Sequence, residues 1–137
     1  MTFELHPTLA SDTHILHEGS SAHLLLHRNA VIPWFILVPH TQETELCNLE
    51  PETYSITLDR CRVISKWIQK EFLCKKVNFG AIGNLVPQMH LHMVGRSEND
   101  ECWPKPVWGN LETFRAYSEK EVEDIKLAIA QFFYTDS

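Results

Sequence analysis

The sequence predicts an α+β fold: one antiparallel sheet of about five strands, a long helix on one face, and a second helix near the C-terminus. Three patterns point there. Short aliphatic and aromatic runs at 22–28 and 34–38 are bounded by Asn and Pro. One long stretch after Pro51 repeats its apolar residues every three or four positions, and one short stretch, 88–94, alternates polar with apolar. At 137 residues and 44% hydrophobic content, the chain has the length of a single domain, 1–137, with one core and no linker.

The elements follow in order. Residues 3–16 are short and mixed, with Pro7 placed to start a turn of helix and Ser11-Asp12 able to end it. The runs 22–28 and 34–38 read as an antiparallel pair, closed by Pro39. Pro51 with Glu50 and Glu52 opens a helix expected to reach about Leu73, its stripe formed by Tyr54, Leu58, Cys61, Ile64, Ile68 and Phe72. Residues 77–82 form a further strand, and Gly83-Asn84 marks the turn toward 88–94. The tail Cys102-Trp103-Pro104-Lys105-Pro106-Val107-Trp108-Gly109 is expected to run extended over an apolar surface. Ser118-Glu119-Lys120-Glu121 has the capping-box pattern and opens a helix expected over 118–133, with Val122, Ile125, Ala128, Ile129 and Phe132 on one side.

Composition excludes several classes. A net charge of -6 leaves no basic surface for nucleic acid, so any anionic ligand is held locally. Cys47, Cys61, Cys74 and Cys102 form neither a C-x-x-C pair nor a disulfide framework. The N-terminus carries no signal-peptide pattern, and no apolar run approaches the roughly 20 residues of a membrane span. A reduced, soluble, cytoplasmic protein is the expectation, with neither membrane nor nucleic acid as a partner.

The chemistry concentrates in 88–94. Gln88, His90 and His92 share one parity, and Met89, Leu91 and Met93 the other. On a half-buried strand this sends sulfur and methyl groups into a core and turns an amide and two imidazoles the other way. Two rings two residues apart lie about 6.6 Å apart at Cα, within reach of one ligand group. Such a pair on a strand can simply be hydrogen-bonded structure. It can bind a metal, but Glu98, the next acid, follows too far on for a barrel metal site. It can serve as acid and base for a separate nucleophile, yet no G-x-S-x-G context is present. It can also be nucleophilic itself: a neutral imidazole attacks phosphorus while its neighbour holds the phosphoryl oxygens, with no cofactor.

The segment Gly83-Asn84-Leu85-Val86-Pro87-Gln88-Met89-His90-Leu91-His92-Met93-Val94 resembles the signature of the histidine triad (HIT) family of nucleotide hydrolases and transferases. Asn29 before Trp34, Asn78, Gly95-Arg96 and Trp103-Pro104 extend the resemblance over 22–108. It implies a two-layer HIT-like fold and a homodimer. It implies that His90 is the nucleophile that becomes a transient nucleotidyl-histidine, and that His92 holds the phosphate. Gln88 stands at the first triad position, and Asn29, Asn78, Gly83, Asn84 and Val86 stand at nucleotide-binding positions. Three residues depart from the pattern: Gln88 replaces a histidine and cannot titrate, Leu85 replaces a Ser or Thr hydroxyl, and Asn29 replaces an acid. The implied activity is metal-independent hydrolysis of a dinucleoside polyphosphate or nucleoside phosphoramidate at the α-phosphate. The alternative is a nucleotide-binding sensor with little turnover; a zinc or manganese site at His90 and His92 is a third reading.

The remaining histidines, His6, His14, His17, His23 and His27, read as surface or hairpin positions, His27 lying nearest the implied ribose contact. His40 after Pro39 is within range of the pocket mouth. Trp34 reads as packing against a helix or as the wall of a base pocket.

Overall fold

The computed structural model describes residues 2–131. Its elements are α1 (Pro7–Asp12), β1 (Thr13–Glu18), β2 (Ala22–His27), β3 (Trp34–Pro39), α2 (Pro51–Glu71), β4 (Lys76–Gly80), β5 (Leu91–Arg96) and α3 (Glu119–Ala130). The five strands make one sheet in the order β1-β2-β3-β5-β4, and every neighbouring pair is antiparallel.

Alternation along the strands separates two cores. Leu24, Leu26, Phe35, Leu37, Leu91 and Met93 face α2 and α3, where Cys61, Ile64, Trp67, Ile68 and Ile129 close over them. Ile64 and Ile68 are fully buried, each stabilising the domain by roughly 1.5–3 kcal/mol. Leu25, Trp34, Ile36 and Val94 face the other way, covered by Leu9 of α1, by Val86, and by Cys102 and Val107 of the tail. Strand β5 is therefore buried on both faces rather than one.

Several expectations shift. Strand β5 starts at Leu91, because β3 and β4 pair with it only from Leu37 and Gly80 onward; Gln88 and His90 lie in the approach to it. Strand β1 falls inside the segment read as mixed. Helix α2 ends at Glu71, and Leu73 sits outside the apolar stripe with φ 54 and 87% of its surface exposed. Ser118 and Glu121 form the expected capping box. Helix α3 packs on β1, and the expected Phe132 and 133 lie outside the described residues.

The tail is a series of tight turns instead of an extended strip. Arg96, 1% exposed, organises it: Nε donates to Asp100 at 2.7 Å, Nη1 to Asn78 Oδ1 at 2.8 Å, and the guanidinium lies over Trp103. Burial works against ionisation of Asp100. The bonds from Arg96 and from the Ser97 and Trp103 amides outweigh it and hold the carboxyl below its usual range.

Candidate active site

The sheet face opposite the long helix carries two imidazoles with different proton positions. His90 Nδ1 lies 2.7 Å from the Gln88 carbonyl, which can only accept, so Nδ1 holds the proton and Nε2 keeps its lone pair. His92 Nδ1 accepts from Trp34 Nε1 at 2.9 Å; an indole can only donate, so the His92 proton is on Nε2. The two rings stand 4.9 Å apart at 69°, and both residues are buried. Burial, then the neighbouring His90 and His27, pushes His92 down to about 3. It is a neutral N–H donor throughout the physiological range. One ring offers a lone pair and the other a hydrogen.

These rings line a cavity of about 520 Å³, together with Trp34, Ile36 and His27 of the sheet, Leu9, Asp12 and Thr13 of the N-terminal turn, the loop from Ile82 to Val86, and Trp108. Gly83 has φ +66, a conformation open to glycine, and turns the loop over the histidines. Among the described residues the amides of Gly83, Asn84 and Leu85 make no hydrogen bond, so they are available to an anion. Trp108 stands edge-on to His92 at 5.2 Å, and its buried Nε1 has no partner among the described residues. A second cavity of about 350 Å³, lined by Glu45, Leu46, Cys47 and Tyr54, shares Ile82, Gly83 and His90 with the first. His90 thus stands where two chambers meet. A further cavity of about 530 Å³ beside Phe72, Cys74 and Tyr117 holds no imidazole.

Of the residues singled out from the sequence, His90, His92, Gly83, Asn84 and Val86 come together, with Leu85 at the rim, 96% exposed. Gln88 does not join them. Its Nε2 donates to the Glu4 carbonyl at 2.9 Å and its Oε1 accepts from the His6 amide at 2.8 Å, clipping the N-terminal segment. Only its backbone serves the site. Asn29 is also turned away: Nδ2 donates to the Thr113 carbonyl, and Oδ1 accepts from the amides of Val31 and Arg115. Asn78 is held by Arg96 and does not line the cavity.

Three side chains take places in the wall that local pattern had left open, as for Trp34, or had missed. Trp34 faces the histidines rather than the helix, and sets the His92 tautomer. His27 lies flat against Trp34, ring centres 4.1 Å apart at 9°, inside the cavity wall. Trp108 completes that wall from the tail. His40, by contrast, pairs with His23 at 2.7 Å and stacks on Phe3, away from the cavity. Burial raises the Cys61 thiol to about 12 and also raises Cys74 and Cys102, which removes them as nucleophiles. Among the described residues no three His, Cys, Asp or Glu side chains converge as a metal-ligand set, and no helix is long and apolar enough to cross a membrane.

Comparison with known proteins agrees with this geometry. The family model described as the HIT domain matches residues 8–99. A histidine triad protein from Marinobacter aquaeolei is 34% identical, with 98% of each chain covered and a TM-score of 0.89. A histidine triad protein from Bradyrhizobium japonicum is 30% identical over 94% of this chain and 96% of that one, TM-score 0.86. The fold is shared more distantly, at 14% identity and a TM-score of 0.60, with the diadenosine triphosphate hydrolase of Plasmodium falciparum, over 89% of this chain and 77% of that one. No curated protein matches the sequence.

Proposed function

Since the chain belongs to the histidine triad family, we propose that it is a metal-independent nucleotide hydrolase or nucleotidyl transferase that works through a covalent intermediate on His90. One observation carries the reading: the two buried imidazoles have opposite, fixed tautomers. The His90 Nε2 lone pair attacks the α-phosphorus, forming a P–N bond as the bond to the leaving group breaks and its electron pair departs with that group. His92 Nε2–H and the loop amides at Gly83 and Asn84 donate to the phosphoryl oxygens as charge builds. Water then breaks the P–N bond, releasing a nucleoside monophosphate and returning His90 to its starting state. The larger chamber takes the nucleoside and the smaller one the leaving group, consistent with a dinucleoside polyphosphate or a nucleoside phosphoramidate as substrate.

Rapid mixing with a panel of both substrate types in EDTA, followed by intact-protein mass spectrometry, tests this. The native chain gains one nucleotidyl group transiently and His90→Asn gains none; full turnover by the variant refutes the mechanism. Two observations favour a second reading, a nucleotide sensor: Leu85 brings no hydroxyl to the rim, and Gln88 points elsewhere. Tight binding of AMP with neither adduct nor product would select it. The proposal includes a homodimer, supported by the unpaired outer edge of β4 and by the partly exposed Tyr54, Ile56 and Phe79. Light scattering at the monomer mass would remove that part.

A further inference from the structure

His27 lines the same cavity as His90 and His92, with Trp34 covering one face of its ring. In the sheet register it falls opposite Thr13 on β1; one step past the pairing of Leu26 with Phe35 it falls opposite Trp34 on β3. Side chains directly opposite on antiparallel strands stand about 5 Å apart. The imidazole is therefore held upright between Trp34, whose ring covers one face at 4.1 Å, and Thr13. Its Nδ1 accepts from the Asn29 amide at 3.1 Å, which leaves the hydrogen on Nε2. Among the described residues nothing accepts from that N–H.

Beside it, Asp12 lines the same cavity, and its charge acts on the His27 ring. Its carbonyl accepts from the Arg28 amide at 3.0 Å, which fixes Asp12 next to the His27 row of the sheet. Leu9, Trp34 and Ile36 make the apolar part of the surroundings, and Thr8 and Thr13 also line the cavity. Trp34 bridges the two histidines, its ring centre 4.1 Å from that of His27 and 5.8 Å from that of His92, so one ligand held at His92 can extend along Trp34 to His27.

Resting on the nucleotide reading above, we propose that His27 and Asp12 form a donor and acceptor pair that reads the rim of the bound base, and that this pair favours a base carrying an exocyclic amino group. His27 Nε2–H donates to a ring nitrogen, and the Asp12 carboxylate accepts from the neighbouring amino group. Both are specificity-determining residues, not participants in the chemical step. A neutral donor beside one carboxylate suits an amino-bearing rim; a base with nothing to donate there would leave the carboxylate facing an acceptor or bare carbon.

Calorimetric titration of the full-length native chain with AMP and with purine riboside monophosphate, which lacks only the amino group, tests the pair. The native chain should prefer AMP by about tenfold, the worth of one hydrogen bond in a buried site. Asp12→Ala should erase most of that preference. His27→Phe, which keeps a ring against Trp34, should weaken AMP about tenfold, and His27→Gln, which keeps an N–H donor, should recover part of the loss. A native chain that binds both ligands equally, or a His27→Phe variant that binds AMP as the native chain does, overturns the assignment while leaving the nucleotide site standing. If His27→Phe fails to fold, the native two-ligand comparison and the Asp12→Ala preference decide. No binding of either ligand overturns this assignment and the nucleotide reading together.

Discussion

Trp34→Phe isolates the bond that sets the His92 proton. The substitution keeps an aromatic ring against His27 and removes the donor 2.9 Å from His92 Nδ1. That nitrogen, on a residue 7% exposed, becomes a buried acceptor without a partner, which costs about 1–3 kcal/mol. The smaller ring adds a cavity term on the order of 1 kcal/mol. The midpoint of thermal unfolding should fall by roughly 5–15 °C in a domain of this size. The lost bond stabilised the neutral ring, so His92 should titrate at a higher pH than its native value of about 3, though burial still keeps it neutral at pH 7. Long-range ¹⁵N–¹H NMR on the imidazole reports which nitrogen carries hydrogen. The native spectrum should show Nδ1 bare and Nε2 protonated; in the variant the two forms should mix, with turnover down about ten- to a hundredfold, equivalent to about 1.4–2.7 kcal/mol. A native spectrum with hydrogen on Nδ1, or a variant with unchanged stability and turnover, refutes the reasoning.

Acid should destabilise the fold through the same residue. The folded-state value of His92 lies far below its ordinary 6.5, so its contribution is complete above about pH 6.5 and is lost as pH falls toward 3, worth roughly 3–5 kcal/mol over that window. Burial also lowers His27 and His14, which adds the same sign. Urea titrations at successive pH values should show the slope, and His92→Asn should flatten it; equal slopes would contradict the assignment. Gly95→Ala places a methyl group 2.8 Å from Ile68 Cγ2 and 2.9 Å from Cys74 Sγ, so the urea midpoint should drop by the equivalent of about 1–3 kcal/mol. An unchanged midpoint would mean that helix and strand are less closely seated. Gln88→Ala removes two hydrogen bonds to the N-terminal segment, about 1–2 kcal/mol, yet should cost far less turnover than His90→Asn. Equal losses would return the Gln88 side chain to the reacting centre.

What could be read in advance was whatever repeats locally. Periodicity of 3.6 located α2, the capping box located the start of α3, and alternation put His90 and His92 on one face. Strand β1 was illegible because its burial pattern is not period two: a register shift between Ile15 and His17 leaves Ile15 37% exposed and buries Leu16 beside it. The alternation extended β5 back to Gln88, whereas pairing is decided by where β3 and β4 end. His27 read as a surface or hairpin position near the implied ribose contact, since its stacking on Trp34 and its place beside Thr13 exist only once three strands are side by side. The side chains of Gln88, Asn29 and Asn78 turn from the cavity for one reason. Each side chain satisfies distant partners, at Glu4 and His6, at Thr113 and Arg115, and at Arg96, that no nearby spacing reveals.

Burial of β5 on both faces divides the molecule into parts that can drift and parts that cannot. Every residue from Leu91 to Arg96 is enclosed, so a change in any of them disturbs either the helix layer or the layer above the imidazoles. The loop from Ala81 to Leu85 is exposed along its whole length while it roofs the same floor. Divergence among relatives that keep the chemistry should collect at Ala81, Ile82 and Leu85 of that roof, and a library meant to change what the pocket accepts belongs there, with Gly83, Asn84 and the floor left as they are.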